Sequence, residues 1–232
     1  MFFEMLDSLV EGNFAVVSMF LLAGAFILLV ALPIHELAHA VTAYRLGDPT
    51  AKRLGRLTFN PKAHLDPMGA IFIMIAGFGW AKPVPIDMRN FRNPKQGMAI
   101  SALAGPVSNV LMAFFLVALY TTLIYPNSAG LPLSSEIFSF FYFAVSINLM
   151  LAAFNLIPLP PLDGSHIMKA FLPPRLYYSY TQIEKYAPFI IILLFITGIL
   201  SGPIMMIRNG LLSLICLPFK WLGFTVPFLE LL

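Results

Sequence analysis

"LLVALPIHELAHAVTAYRLG", residues 28–47, decides how the rest of the chain is read. His35 and His39 stand four residues apart, so one turn of α-helix puts both imidazoles on the same face, close enough to share a metal ion. Glu36 stands beside them, where a carboxylate can reach a water on that ion. The rest of the stretch is apolar enough to cross a bilayer. Three titratable groups are costly in such a helix unless they have partners or water, so His35, Glu36 and His39 are read as a functional site.

Composition agrees with a membrane setting. Hydrophobic residues make up 59% of the 232 positions and charged ones 11%, against roughly half and roughly a quarter in soluble globular chains. The expected class is an all-α polytopic membrane protein. Nine of the fourteen Lys and Arg fall between Arg45 and Lys95. That clustering marks loops held at the cytoplasmic face and accounts for the net positive charge without a nucleic-acid partner. The single cysteine, Cys216, excludes a disulfide framework and a cysteine-based metal site. Glu4, Asp7 and Glu11 stand where a cleavable signal would carry a basic segment, so the first span is expected to direct its own insertion.

A spanning helix needs about 20 mostly apolar residues. Residues 14–44 supply the first, ended by Leu46-Gly47-Asp48-Pro49. The polar stretch 50–67 contains "RLTFNP", read as a short strand. Residues 68–81 are apolar but short and interrupted by glycines, which suits a re-entrant, partly β-like segment. Charge supports that choice, because five basic residues precede the segment and four follow it, and a full crossing would separate them. Residues 98–125 and 136–156 read as two further spans joined by a loop without Lys or Arg. One or two more segments are expected at 187–207 and 209–232, giving about 4–6 spans. The N-terminus is expected outside and the basic loops inside the cell membrane. The whole of 1–232 reads as one integral membrane domain, with a core at about 14–170 and C-terminal helices at about 187–232.

Catalytic zinc commonly takes three protein ligands and a water, so the histidine pair requires a third group. Asp7 lies beyond the outer end of the first helix, and Asp48, Asp66 and Asp87 occupy polar loops that suit solvated carboxylates. Asp163 differs, because Pro158, Pro160 and Pro161 in "NLIPLPPLDG" break the preceding helix and aim the aspartate. It also belongs at the depth of His39, toward the basic side.

At these residues the chain resembles the site-2 protease family of intramembrane zinc metalloproteases, in particular its compact prokaryotic members without a soluble peptide-binding domain. The resemblance rests on "HELAH", on "AGPVSN" at 104–109 and on "NLIPLPPLDG" at 155–164, and covers about residues 14–170. It implies one Zn2+ per chain held by His35, His39 and Asp163, with Glu36 as general base. It also implies that Asn155 helps hold the substrate or its oxyanion. Substrates would be transmembrane segments of other membrane proteins. Strand edges at "RLTFNP" and "KPVPI" are candidates for capturing an unwound peptide by β-addition.

Asn148, Asn109 and Lys82 are secondary candidates for touching substrate. Gly105, Ser108 and Asn109 read first as a helix-packing stripe. His64 reads as a solvated loop histidine and His166 as either an exposed interfacial histidine or a group that orients a ligand near Asp163, and neither joins the ligand set. A metal-ion transporter and a non-proteolytic binding module remain alternatives, since buried His and Asp also mark ion pathways.

Overall fold

The computed structural model describes residues 14–76, 79–127 and 134–231, together with Val10 and Gly12. Glu4, Asp7 and Glu11, and residues 128–133 of the expected outer loop, lie outside the described residues. Among the described residues, four helices are long and apolar enough to span a membrane.

The first span is built from α1 (Phe14–Phe26) and α2 (Leu32–Arg45), joined without a break by a wide turn over Ile27–Ala31. In that turn the Leu32 amide reaches back to the Ile27 carbonyl, one residue further than in an α-helix. Pro33 supplies the reason. It has no N–H to donate, and its ring clashes with the carbonyl four residues earlier, so the backbone widens just before it.

After the short helix α3 (Pro67–Ala76), Ala81 lies back beside the start of the segment and forms an antiparallel bridge with Leu65. Both ends of the segment therefore meet on one side, as a re-entrant element requires. Gly69 permits the close return, because a Cβ there would lie 1.9 Å from the Trp80 carbonyl oxygen. The β-like character is limited to that one bridge among the described residues, and "RLTFNP" does not form a strand. It curls instead. The Asn60 side chain accepts the Lys62 amide at 3.1 Å, and the Thr58 carbonyl accepts from the His64 imidazole at 2.8 Å. These local bonds replace a ladder.

The second span is α4 (Pro94–Leu119), capped by the Asn93 side chain and extended by a second wide turn at Tyr120–Ile124. The third is α5 (Ser134–Asn155). After the proline-rich turn come the short helices α6 (Asp163–Phe171), α7 (Pro174–Ile183) and α8 (Ala187–Ile196). The fourth span is α9 (Ser201–Trp221). Helix α4 is central and packs against α2, α5, α6 and α9. An apolar core of Ala113, Val117, Val145, Leu149, Leu212 and Phe228 joins α4, α5 and the C-terminal end. Many large apolar side chains, including Leu29, Leu111, Phe115 and Leu214, point outward, as lipid contact demands.

The C-terminal boundaries differ from the expected 187–207 and 209–232. The chain turns at residues 197–200, where Gly198 has φ 69°, and Arg208 lies inside one continuous helix. Arg208 does not interrupt it because its guanidinium is buried and donates to Ser146 Oγ at 2.8 Å and to Asn209 Oδ1 at 2.8 Å. Cys216 is fully buried against the core.

Asp48 also departs from the expected solvated carboxylate, being completely buried. Its Oδ1 accepts from the Thr50 amide (3.0 Å), the Thr50 hydroxyl (2.5 Å) and Asn90 Nδ2 (2.7 Å), and its Oδ2 from the Asp87 amide (2.8 Å). The carboxylate thus ties the end of the first span to the segment 81–87. Burial opposes its ionisation, but the bonds from Thr50, Asp87 and Asn90 outweigh that and hold its pKa below the ordinary value. A group with a depressed folded pKa stabilises the fold above its unfolded pKa, about 3.9, and loses that contribution as pH falls through the folded value. Asp48→Ala should lower unfolding stability in detergent by about 2–4 kcal/mol at neutral pH. The deficit relative to wild type should shrink below about pH 4. Equal thermal midpoints at pH 7 would show that the tie is dispensable.

Candidate metal centre

Helix α2 carries His35 and His39 on its buried face, 4% and 6% exposed. Their Nε2 atoms lie 3.1 Å apart, and Asp163 Oδ2 lies 3.2 Å from the first and 3.3 Å from the second. The two histidines and the aspartate, separated by more than 120 positions in sequence, form a nearly equilateral triangle. Zinc–ligand bonds of about 2.0–2.1 Å in tetrahedral geometry place ligand atoms roughly 3.3 Å apart. The triangle therefore fits a zinc ion, with a fourth position left open. Asp163 Oδ2 is buried and has no hydrogen-bond partner, which also suits a cation.

The far side of each ring explains why Nε2 is free to bind. His39 Nδ1 lies 2.8 Å from the Ser101 carbonyl, which can only accept, so the proton sits on Nδ1. The Ser101 hydroxyl returns a bond to the His39 carbonyl at 3.2 Å. His35 Nδ1 lies 2.5 Å from Asn109 Oδ1. Asn109 Nδ2 donates to Asn148 Oδ1 at 2.9 Å, and Asn148 Nδ2 donates to the Ala144 carbonyl at 2.8 Å. Because the Ala144 oxygen can only accept, both amides are oriented and the His35 proton is placed on Nδ1. Such outer partners set tautomer and ring angle in metal sites.

Asn109 and Asn148 were candidates for substrate contact. Both are fully buried behind His35, with their amides engaged. Gly105, expected to serve helix packing, has a more specific function. A Cβ there would lie 2.4 Å from His39 Nε2 and 2.6 Å from His35 Cε1, so α4 approaches the two rings only because residue 105 lacks a side chain. The spacing of "AGPVSN" shows small residues on a helix but not what they face.

Asp163 opens α6, after the turn 156–162. Gly164 permits that geometry, since a Cβ would lie 2.4 Å from the carbonyl oxygens of Leu156 and Ile157. The Tyr180 hydroxyl holds the turn by donating to the Pro158 carbonyl at 2.7 Å.

Glu36, Asn155, His166 and the three triangle residues line one cavity of about 300 Å³. Trp80, Pro83, Val84 and Ile86 form its other wall. Glu36 Oε2 accepts the Val84 amide at 3.1 Å. One hydrogen of the Asn155 amide goes to the Leu151 carbonyl at 3.0 Å, and an NH2 group has a second. His166 sits at the cavity wall, where burial holds its pKa below the ordinary value. Lys82 contributes backbone: its amide donates to the His64 carbonyl at 2.8 Å, while its side chain is exposed. His64 is fully buried, contrary to the solvated loop expected, because segments 54–66 and 80–87 fold over one another.

Comparison with known proteins gives a consistent picture. A model of "Peptidase family M50" matches residues 123–198, a region that includes Asn155 and Asp163. YwhC of Bacillus subtilis, named as a candidate zinc metalloprotease, is 44% identical over 173 residues, covering 73% of this chain and 78% of that protein. Rip2 of Mycobacterium tuberculosis, named in the same way, is 28% identical over 190 residues, covering 78% of this chain and 71% of Rip2. The zinc metalloprotease MJ0392 of Methanocaldococcus jannaschii is 31% identical over 196 residues, covering 82% of this chain and 47% of its own length. No solved structure matches significantly. With four apolar spans, a triangle sized for zinc and a relative of this identity and coverage, the chain belongs to peptidase family M50, the site-2 protease family, and is a multi-pass intramembrane zinc metalloprotease acting on membrane proteins.

Proposed function

We propose that His35, His39 and Asp163 hold the zinc ion, that Glu36 is the general base, and that Asn155 binds the developing oxyanion. The substrate is a transmembrane segment of another membrane protein, unwound at the scissile bond. The observation that carries the reading is the triangle of Nε2, Nε2 and Oδ2 atoms opening onto a cavity that also contains Glu36 and Asn155. Zinc, when bound, lowers the pKa of a water toward 7 and polarises the peptide carbonyl. Glu36 takes the proton from the attacking water and passes it to the departing amine. The Val84 amide holds one carboxylate oxygen, leaving the other for this transfer. Asn155 donates its second amide hydrogen as charge grows on the carbonyl oxygen.

The roof of the cleft selects an extended peptide. Pro83 and Pro85 have no N–H, and the amides of Lys82, Val84 and Asp87 are already engaged. A captured strand can therefore donate to roof carbonyls, accept from the Ile86 amide, or displace Glu36 from Val84. All of 1–232 acts as one membrane-embedded catalytic domain, its core at about 14–170. The zinc site faces the cytoplasm, and the N-terminus lies opposite.

A chelation experiment tests the reading. Purified chain in proteoliposomes should lose cleavage of a single-span substrate on treatment with a strong chelator and regain it with about one Zn2+ per chain. Cleavage that persists in metal-free protein would overturn the assignment.

A further inference from the structure

Arg56 belongs to the basic loop before α3, yet it is only 5% exposed. Its Nη2 donates to the Lys82 carbonyl, while its Nε is buried without an acceptor. A neutral donor would serve one carbonyl at lower desolvation cost, so the retained charge needs another reason. Burial pushes the guanidinium pKa down, and the charge of the Glu36 carboxylate offsets part of that.

The path from Arg56 to Glu36 runs through two peptide groups. In an extended segment, residues 82 and 84 direct their backbone groups to the same side. The Lys82 amide is held by the His64 carbonyl at 2.8 Å and its carbonyl by Arg56. With residue 82 fixed at both ends, and Pro83 restricting the next φ, the Val84 amide has little freedom except to point at Glu36 Oε2, 3.1 Å away. Beyond it, the Asp87 amide is anchored on Asp48.

We propose that Arg56 is a positioning residue for the general base: its guanidinium locks segment 81–87 in register, so that the Val84 amide orients Glu36, and its charge complements the carboxylate. The proposal rests on the reading of Glu36 as base, but its physical core, the hold on the segment, is measurable without turnover.

The test uses the full-length, zinc-loaded chain and the variants R56Q, R56K and E36Q. R56Q should keep one zinc per chain and lower kcat roughly 100-fold, the loss expected when a reacting group is misplaced by about 1 Å. The KM for a single-span substrate should change less than about threefold, since the cleft walls remain. Hydrogen exchange at the Lys82 and Val84 amides should quicken about tenfold or more, with α4 unaffected. R56K retains the charge and should recover kcat to within about tenfold of wild type. Wild-type kcat together with an unchanged exchange rate in R56Q would overturn the proposal. Should R56Q fail to accumulate, R56K decides alone, and wild-type behaviour of both kcat and exchange in it would count against the proposal. Normal cleavage by E36Q would instead sink the base assignment, and the exchange data would still report whether Arg56 holds the segment.

Discussion

Glu36→Gln should abolish proteolysis while leaving the zinc content at one ion per chain. Glutamine has nearly the volume of glutamate and keeps an acceptor for the Val84 amide, so the wall of the cleft is undisturbed. It cannot take up a proton. General acid–base catalysis typically contributes 10²–10⁴ in rate, and a single group that both accepts and returns the proton belongs at the upper end, about 4–5.5 kcal/mol of barrier. The three triangle atoms belong to other residues, so metal stoichiometry by atomic absorption should match wild type. The same variant should retain substrate and allow its co-purification from membranes. Activity within about tenfold of wild type would place the base elsewhere.

Gly105→Ala should remove the metal instead. Ordinary carbon contacts lie near 3.5–4.0 Å, and the added methyl would stand 2.4 Å from His39 Nε2 and 2.5 Å from His39 Cε1. Neither ring can retreat easily, since His39 is tethered to the Ser101 carbonyl and His35 to Asn109. Either α4 moves away or the rings turn, and both break the triangle. Overpacking of this kind costs about 1–3 kcal/mol in stability. The expected result is near-zero zinc and no cleavage. Gly210→Ala is the control, because nothing lies within 4 Å of a Cβ there. It should keep zinc and match or slightly exceed wild-type stability. Stoichiometric zinc of unchanged affinity in Gly105→Ala would mean that the cradle is looser than drawn.

The parts of the site legible in the sequence were those written in local spacing. His35, Glu36 and His39 share one helical turn, and Asp163 follows a run of prolines that no helix continues. The first three spans were legible because apolar length is a one-dimensional property, whereas the fourth, Ser201–Trp221, runs straight through the boundary expected at Arg208. What was not legible depends on pairs distant in the chain. The relay from His35 through Asn109 and Asn148 joins positions 74 and 39 residues apart, so no periodicity reveals it. Asp48 and His64 looked solvated because their neighbours in sequence are polar. They are buried because two polar loops close over the cleft and exclude water from each other. "RLTFNP" had the alternation of a strand, but Asn60 and Thr58 offered nearer partners than another strand did.

The widened turn ahead of Pro33 has a consequence for life in membranes of differing composition. Phe14, Leu21 and Leu22 of Phe14–Phe26 face outward, whereas Leu32–Arg45 is clamped to α4 through both histidines. A hydrophobic segment meets a thinner or thicker bilayer by changing its tilt. Because the widened turn at Ile27–Ala31 separates the two halves, a change of tilt in Phe14–Phe26 that matches the lipid acyl length need not carry into the coordination geometry.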